Sequence, residues 1–161
     1  FSVRVLINMR DEGPLAILES MERVSAAWRR KATEALRPFG ITQAQYELIR
    51  HARVFGAMSP SAMADALDWD RPTLTVVARP CLASGWLRRR DSARDRRSFR
   101  LELAGPGEEL LDRVEAARPF APERIGDPFD VIGADERAQI GRLLDRAARR
   151  ARDVWARGIR A

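Results

Sequence analysis

The chain has 161 residues, 45% hydrophobic and 32% charged, which is enough apolar material for one core in a soluble protein. No apolar run approaches the ~18 residues needed to span a bilayer, and one cysteine with one histidine exclude an internal disulfide and argue against a zinc site. The net charge of +6 is concentrated: residues 71–100 hold nine arginines against two acids, while the rest of the chain sums to −1. A neutral body with one basic element reads as a polyanion-binding device, with DNA as the polyanion. Val3–Ile7 is too short for the core of a signal peptide, so a cytosolic protein is expected. Met9 is a candidate natural start, and residues 1–13 read as an N-terminal extension with no assigned element.

In chain order, Pro14 suits the first turn of a helix. Leu18, Met21, Val24, Trp28, Ala32 and Leu36 then recur at helical spacing as far as Pro38-Phe39-Gly40. Thr42 with Gln45 is a capping box, with Ile41 and Tyr46 placed as a hydrophobic staple, and the helix it starts runs to about Val54 before Gly56. Ser59-Pro60 reads as N-cap and first residue of a short helix to Leu67. Asp70 caps a further helix over 71–84, closed by Gly85 in a left-handed conformation. Trp86–Arg90 and Phe99–Leu103 are strand candidates, the second alternating Phe99, Leu101 and Leu103 with Arg100 and Glu102. After Gly105-Pro106-Gly107 a helix resumes through Leu110, Leu111 and Val114, and the prolines and glycines of 119–134 break it. A last helix, about 135–157, carries an apolar stripe from Ile140 through Leu143, Leu144, Ala147, Ala151 and Val154 to Trp155. Its arginines, among them Arg142, Arg146, Arg149 and Arg150, read as the solvated face opposite that stripe.

Three helices followed by a two-stranded hairpin form a winged helix-turn-helix, whose last helix enters the major groove while the hairpin reaches backbone or minor groove. In the helix 71–84, Leu74, Val77, Ala78, Cys81 and Leu82 point to the core. Arg71, Pro72, Thr73, Thr75, Val76 and Arg79 are left outward, where arginine forks onto guanine, hydroxyls meet phosphates or base edges, and methyl groups touch thymine. The arginine-rich turn between the strands has little reason to hold so many like charges in solvent. Arg94 is placed at its tip for a minor groove, and Arg96 and Arg97 for bidentate contact with phosphate.

These residues resemble the MarR family of bacterial winged helix-turn-helix transcriptional regulators. The likeness is carried by Leu36–Thr42 (LRPFGIT), by Ser59–Leu87 (SPSAMADALDWDRPTLTVVARPCLASGWL), by Asp95-Arg96-Arg97, and by LELAGPG leading into the next helix. It implies a mostly α fold with a small antiparallel β hairpin, and N- and C-terminal helices that interleave across a two-fold axis. Residues 14–38 and 106–161 would form the helical dimerisation region and 39–105 the DNA-binding region. It also implies a homodimer on a palindromic double-stranded DNA operator, most often a repressor released by a small aromatic or phenolic effector. If such a pocket exists, the resemblance places it between the dimer helices and the winged helix, and Trp28, Phe39, Tyr46 and His51 are its candidates. Two departures stand out. Ala104 replaces the usual threonine, losing an N-cap worth ~1 kcal/mol. Pro80 lies inside the recognition helix, where it removes a backbone hydrogen bond and bends the helix near its end.

Cys81 lies on the apolar face with no second cysteine to resolve it, so it reads as core. No nucleophile–base–acid spacing surrounds His51, and neither an enzyme nor a cofactor is expected. The alternative from another class is a winged-helix dimer that has lost operator binding and acts as a protein-interaction module; the intact arginine-rich wing argues against it.

Overall fold

The computed structural model describes residues 13–91 and 99–156. It divides into two units, Phe1–Ile125 and Gly126–Ala161.

In the first unit, α1 (Pro14–Leu36) begins with proline in its first turn and runs into a short 3-10 turn, Arg37–Phe39, that Gly40 ends at φ +70°. The capping box that starts α2 (Gln43–Phe55) is complete. The Gln45 amide donates to Thr42 Oγ1 at 3.2 Å, and the Thr42 amide donates to Gln45 Oε1 at 2.8 Å. Ser59 caps α3 (Pro60–Ala66) by accepting from the Ala62 amide at 3.2 Å. Asp70 caps α4 (Arg71–Ala83), accepting from the Thr73 amide at 2.7 Å. Hydrogen bonds from the Thr73 side chain and then its backbone hold the Asp70 carboxyl below its usual range. The helix α4 continues through Pro80 to Ala83, and Gly85 at φ +70° turns the chain toward the hairpin.

Strands β1 (Leu87–Asp91) and β2 (Phe99–Leu103) pair antiparallel, with Leu87 opposite Leu103, Arg88 opposite Glu102 and Arg90 opposite Arg100. Thus β1 starts one residue later than Trp86. The Trp86 carbonyl accepts instead from the Ala104 amide at 3.0 Å. A feature absent from the sequence reading is a third, one-residue rung: Met58 pairs with Leu101 through bonds of 3.1 and 2.8 Å.

Helix α5 (Gly105–Ala117) takes Gly105 and Pro106 into its first turn, and Ala104 supplies no side-chain cap. A single-turn helix, α6 (Pro122–Ile125), follows. The core gathers Leu36, Leu48, Ile49, Met63, Leu74, Ala78, Cys81, Leu87, Leu101, Leu111 and Val114. It draws on every element of the winged helix and on α5, so α4 is seated by its own apolar face. Arg53 of α2 adds a polar tie to α5, meeting Asp112 at 2.9 Å, Glu115 at 2.6 Å and Glu108 at 3.7 Å.

The second unit is dominated by α7 (Ala134–Ala156). In its first turn, Arg137 reaches back to Asp127 at 2.7 Å and to the Ile132 carbonyl at 3.0 Å. Along α7, Ile140, Leu143 and Val154 remain exposed. Among the described residues, no helix is long and apolar enough to cross a membrane.

Candidate nucleic-acid interface

The phase of α4 separates its two faces. Leu74, Ala78 and Cys81 are buried, Val77 and Leu82 are partly so, and Arg71, Pro72, Thr73, Thr75, Val76 and Arg79 are all exposed. The exposed face is not all polar: Val76 keeps 68% of its surface in water. The threonine hydroxyls are already engaged as donors. Thr75 Oγ1 donates to the Arg71 carbonyl at 2.9 Å, and the Thr73 side chain bonds Asp70. In this state they offer outward lone pairs, which suit amino groups of bases better than phosphate oxygens.

The hairpin stands beside this helix. Its outer face holds Arg88, Arg90 and Arg100, with Glu102 the one acid among the described residues there. Glu102 accepts from Arg88 Nε at 3.1 Å and meets Arg90 at 3.6 Å, while Arg100 donates to the Ala57 carbonyl at 3.2 Å. On the other face, the Arg89 guanidinium sits 4.6 Å from the centroid of the Phe99 ring. A cleft of about 510 Å³ separates α4 from the hairpin, and Thr75, Arg79, Leu82, Arg89 and Phe99 line it. Arg94, Arg96 and Arg97 lie outside the described residues.

Of the pocket candidates, Trp28 and Tyr46 are brought together through a ring that residue type did not single out. Phe120 packs 5.9 Å from Trp28 and 5.4 Å from Tyr46. Its position between Pro119 and Pro122, where the chain must turn back, was the available signal. Burial raises the Tyr46 phenol above its usual pKa. Phe39 is partly buried against the core. His51 is not part of this group. It follows Tyr46 by five residues, about 140° around the helix, and packs on Phe55 at 5.3 Å. Its buried Nδ1 has no hydrogen-bond partner among the described residues. Cys81 is buried, its thiol donates to the Val77 carbonyl at 3.3 Å, and burial pushes its pKa up to about 12. A thiol in that state is not a nucleophile at neutral pH.

Residues 41–99 match the family model described as MarR family. The chain is 27% identical over 139 residues to the HTH-type transcriptional regulator PecS of Dickeya dadantii (strain 3937), covering 84% of this chain and 82% of that one. To the transcriptional repressor MprA of Escherichia coli (strain K12) it is 30% identical over 88 residues, 55% of this chain and half of that one. In fold it is similar to AbsC, a MarR family transcriptional regulator from Streptomyces coelicolor, with a TM-score of 0.74 at 19% identity. That likeness covers 86% of this chain and 94% of AbsC. It is also similar to an E. coli MarR mutant solved with operator DNA, with a TM-score of 0.69 at 21% identity over 82% of this chain and 95% of that one.

Proposed function

We propose that this chain is a member of the MarR family, whose model matches residues 41–99, that it is a transcriptional regulator that binds double-stranded DNA sequence-specifically as a homodimer, and that it is a repressor released by a small aromatic effector. The observation that carries the reading is the exposed row Arg71, Pro72, Thr73, Thr75, Val76 and Arg79 on α4, beside a hairpin rich in arginine. Arg71 and Arg79 are eight residues apart, about 12 Å along the helix, which spans several base-pair steps of a major groove. Val76 between them is an apolar side chain left in water, and the methyl group of thymine is its natural cover. On this reading Arg94, Arg96 and Arg97 contact the backbone or minor groove. Dimerisation is supported by two uncovered apolar faces: Leu15, Leu18, Met21, Val24 and Trp28 on α1, and Ile140, Leu143 and Val154 on α7. A second copy covers both and sets two recognition helices about one DNA turn apart, as a palindromic operator requires.

A mobility-shift titration against the DNA flanking its own gene, at two salt concentrations, tests the reading; no shift at either salt would sink it. Arg94→Ala or Arg97→Ala is expected to weaken binding to all sequences and to flatten the salt dependence by about 0.9 per lost phosphate contact. Thr73→Ala or Arg79→Ala should cost ~1–3 kcal/mol and relax preference at particular base pairs. Wing variants that keep the wild-type salt slope would reduce the hairpin to a solvated loop.

Release by ligand is supported by the ring cluster of Trp28, Tyr46 and Phe120, which joins α1, α2 and the turn before α6. An aromatic carboxylate or phenol bound there is expected to weaken operator binding at least about tenfold, ~1.4 kcal/mol of coupling, and DNA must weaken ligand binding equally. Thermal-shift hits retested in the DNA titration check this. Hits that stabilise the protein and leave DNA affinity unchanged would show a pocket without a switch.

A further inference from the structure

The hairpin's outer face is less free than its sequence suggests. Among the described residues, four charged side chains share it, and three are arginines. Arg90 stands directly opposite Arg100, a like-charge cross-strand pair that is unfavourable by itself. Arg100 turns to the Ala57 carbonyl, and Glu102 takes Arg88 and Arg90 together. The Glu102 side chain is 22% exposed, while the Arg88 and Arg90 side chains that meet it are 65% and 66% exposed. The two arginines therefore face solvent while a protein carboxylate partly neutralises them.

We propose that Glu102 is an internal counter-ion that holds down the hairpin's affinity for polyanions by keeping Arg88 and Arg90 occupied. This rests on the DNA-binding reading above and deepens it. Such exposed ion pairs contribute little to folding stability. For a phosphate the pair matters more. The phosphate must compete with a carboxylate already hydrogen-bonded to Arg88 and ion-paired with Arg90, and it feels that carboxylate's repulsion at close range. Counter-ion release then falls short of what the arginine count implies. The wing's sequence-independent hold on DNA is set below its potential, which leaves more of the selection between sites to α4.

The test compares wild type with Glu102→Gln, which keeps size and hydrogen-bonding oxygen but removes the charge. The control is Glu109→Gln, which makes the same change in net charge at an exposed site on α5. The probe is a labelled 30-base-pair duplex of scrambled sequence, titrated at 50 and 200 mM salt, with heparin-column elution as a second polyanion readout. Freeing two arginines should steepen the salt slope by up to ~1.8, so the ratio of affinities between the two salts grows about tenfold. At 50 mM salt the Glu102→Gln protein should bind tighter than wild type, whereas Glu109→Gln should change binding by no more than about twofold. Adding Arg88→Ala and Arg90→Ala to Glu102→Gln should erase the gain, with thermal melts confirming that each variant is folded. Binding equal to or weaker than wild type overturns the proposal, because Glu102 would then be idle or would be positioning its arginines for phosphate. An equal gain in Glu109→Gln overturns it in favour of net charge. If neither the scrambled duplex nor the DNA flanking the gene binds to any variant, yet Glu102→Gln alone elutes from heparin at higher salt, the counter-ion role stands and the DNA-binding reading falls. If elution is unchanged as well, both fall.

Discussion

A chain carrying Leu18→Asp and Met21→Asp is expected to sediment as a monomer at micromolar concentration. It should lose at least about a hundredfold in operator affinity, ~2.7 kcal/mol. Both side chains are exposed in the isolated chain, Leu18 at 53%. They lie on a helix whose own unit covers only Ala32 and Leu36 fully. The substitutions therefore leave the fold's core intact, and a melt of the variant should show that. In an apolar interface between two copies each carboxylate would be stripped of water without a partner, which costs several kcal/mol. A monomer grips one half-site and forfeits the high effective concentration of the second recognition helix. Sedimentation and operator titration read the two effects separately. A variant that stays dimeric, or a monomer that binds as tightly as wild type, would remove the two-half-site arrangement.

The second large effect is on stability. Gly107→Ala is expected to destabilise the winged-helix unit by about 2–3 kcal/mol, read as a lower urea midpoint at unchanged slope. A Cβ at this buried position would overlap the Trp86 carbonyl oxygen and come within 2.6 Å of Leu103 Cδ1. The leucine methyl can move, but the carbonyl cannot do so easily. It accepts the Ala104 amide at 3.0 Å, the bond that joins the start of β1 to the entry of α5. Alanine's better helix propensity, at most ~1 kcal/mol, offsets part of the clash. Gly105→Ala is the internal control, since nothing lies within 4 Å of its would-be Cβ, and it should be neutral or slightly stabilising. Equal midpoints for the two variants would contradict the close approach of β1 to α5.

The parts of this fold that local chemistry dictates are legible in the sequence. Thr42, Ser59 and Asp70 each cap the helix that follows them, and Gly85 takes the left-handed conformation that ends α4. The alternation of Phe99, Leu101 and Leu103 places β2, and the 3.6-residue period of α4 sorts its exposed face from its buried face. What is hidden depends on partners distant in the chain. The rung between Met58 and Leu101 needs the hairpin to be docked before either residue looks like a strand. Glu102 shows its two arginines only once the register sets Arg88 across from it. Residue type groups His51 with Tyr46 while helix phase separates them, and Phe120 joins Trp28 and Tyr46 only after the chain folds back at Pro119. Pro80 removes a backbone donor without ending α4: helical backbone continues beyond it to Ala83, with Cys81 buried in the last turn.

The main-chain bonds between Met58 and Leu101, with Arg100 reaching the Ala57 carbonyl across 43 positions, bring the two ends of one segment side by side. Everything that would touch bases or phosphates lies between those ends: α3, α4 and both arms of the hairpin. A segment whose ends are already clasped can be exchanged as a block without asking the rest of the chain to re-space its attachment points. With its inward-facing positions kept, such a block can diverge in its outward residues while α1, α5 and α7 stay as they are. The clasp thus makes residues 58–101 a cassette, whose outward residues can be rewritten while the elements outside it keep their own packing.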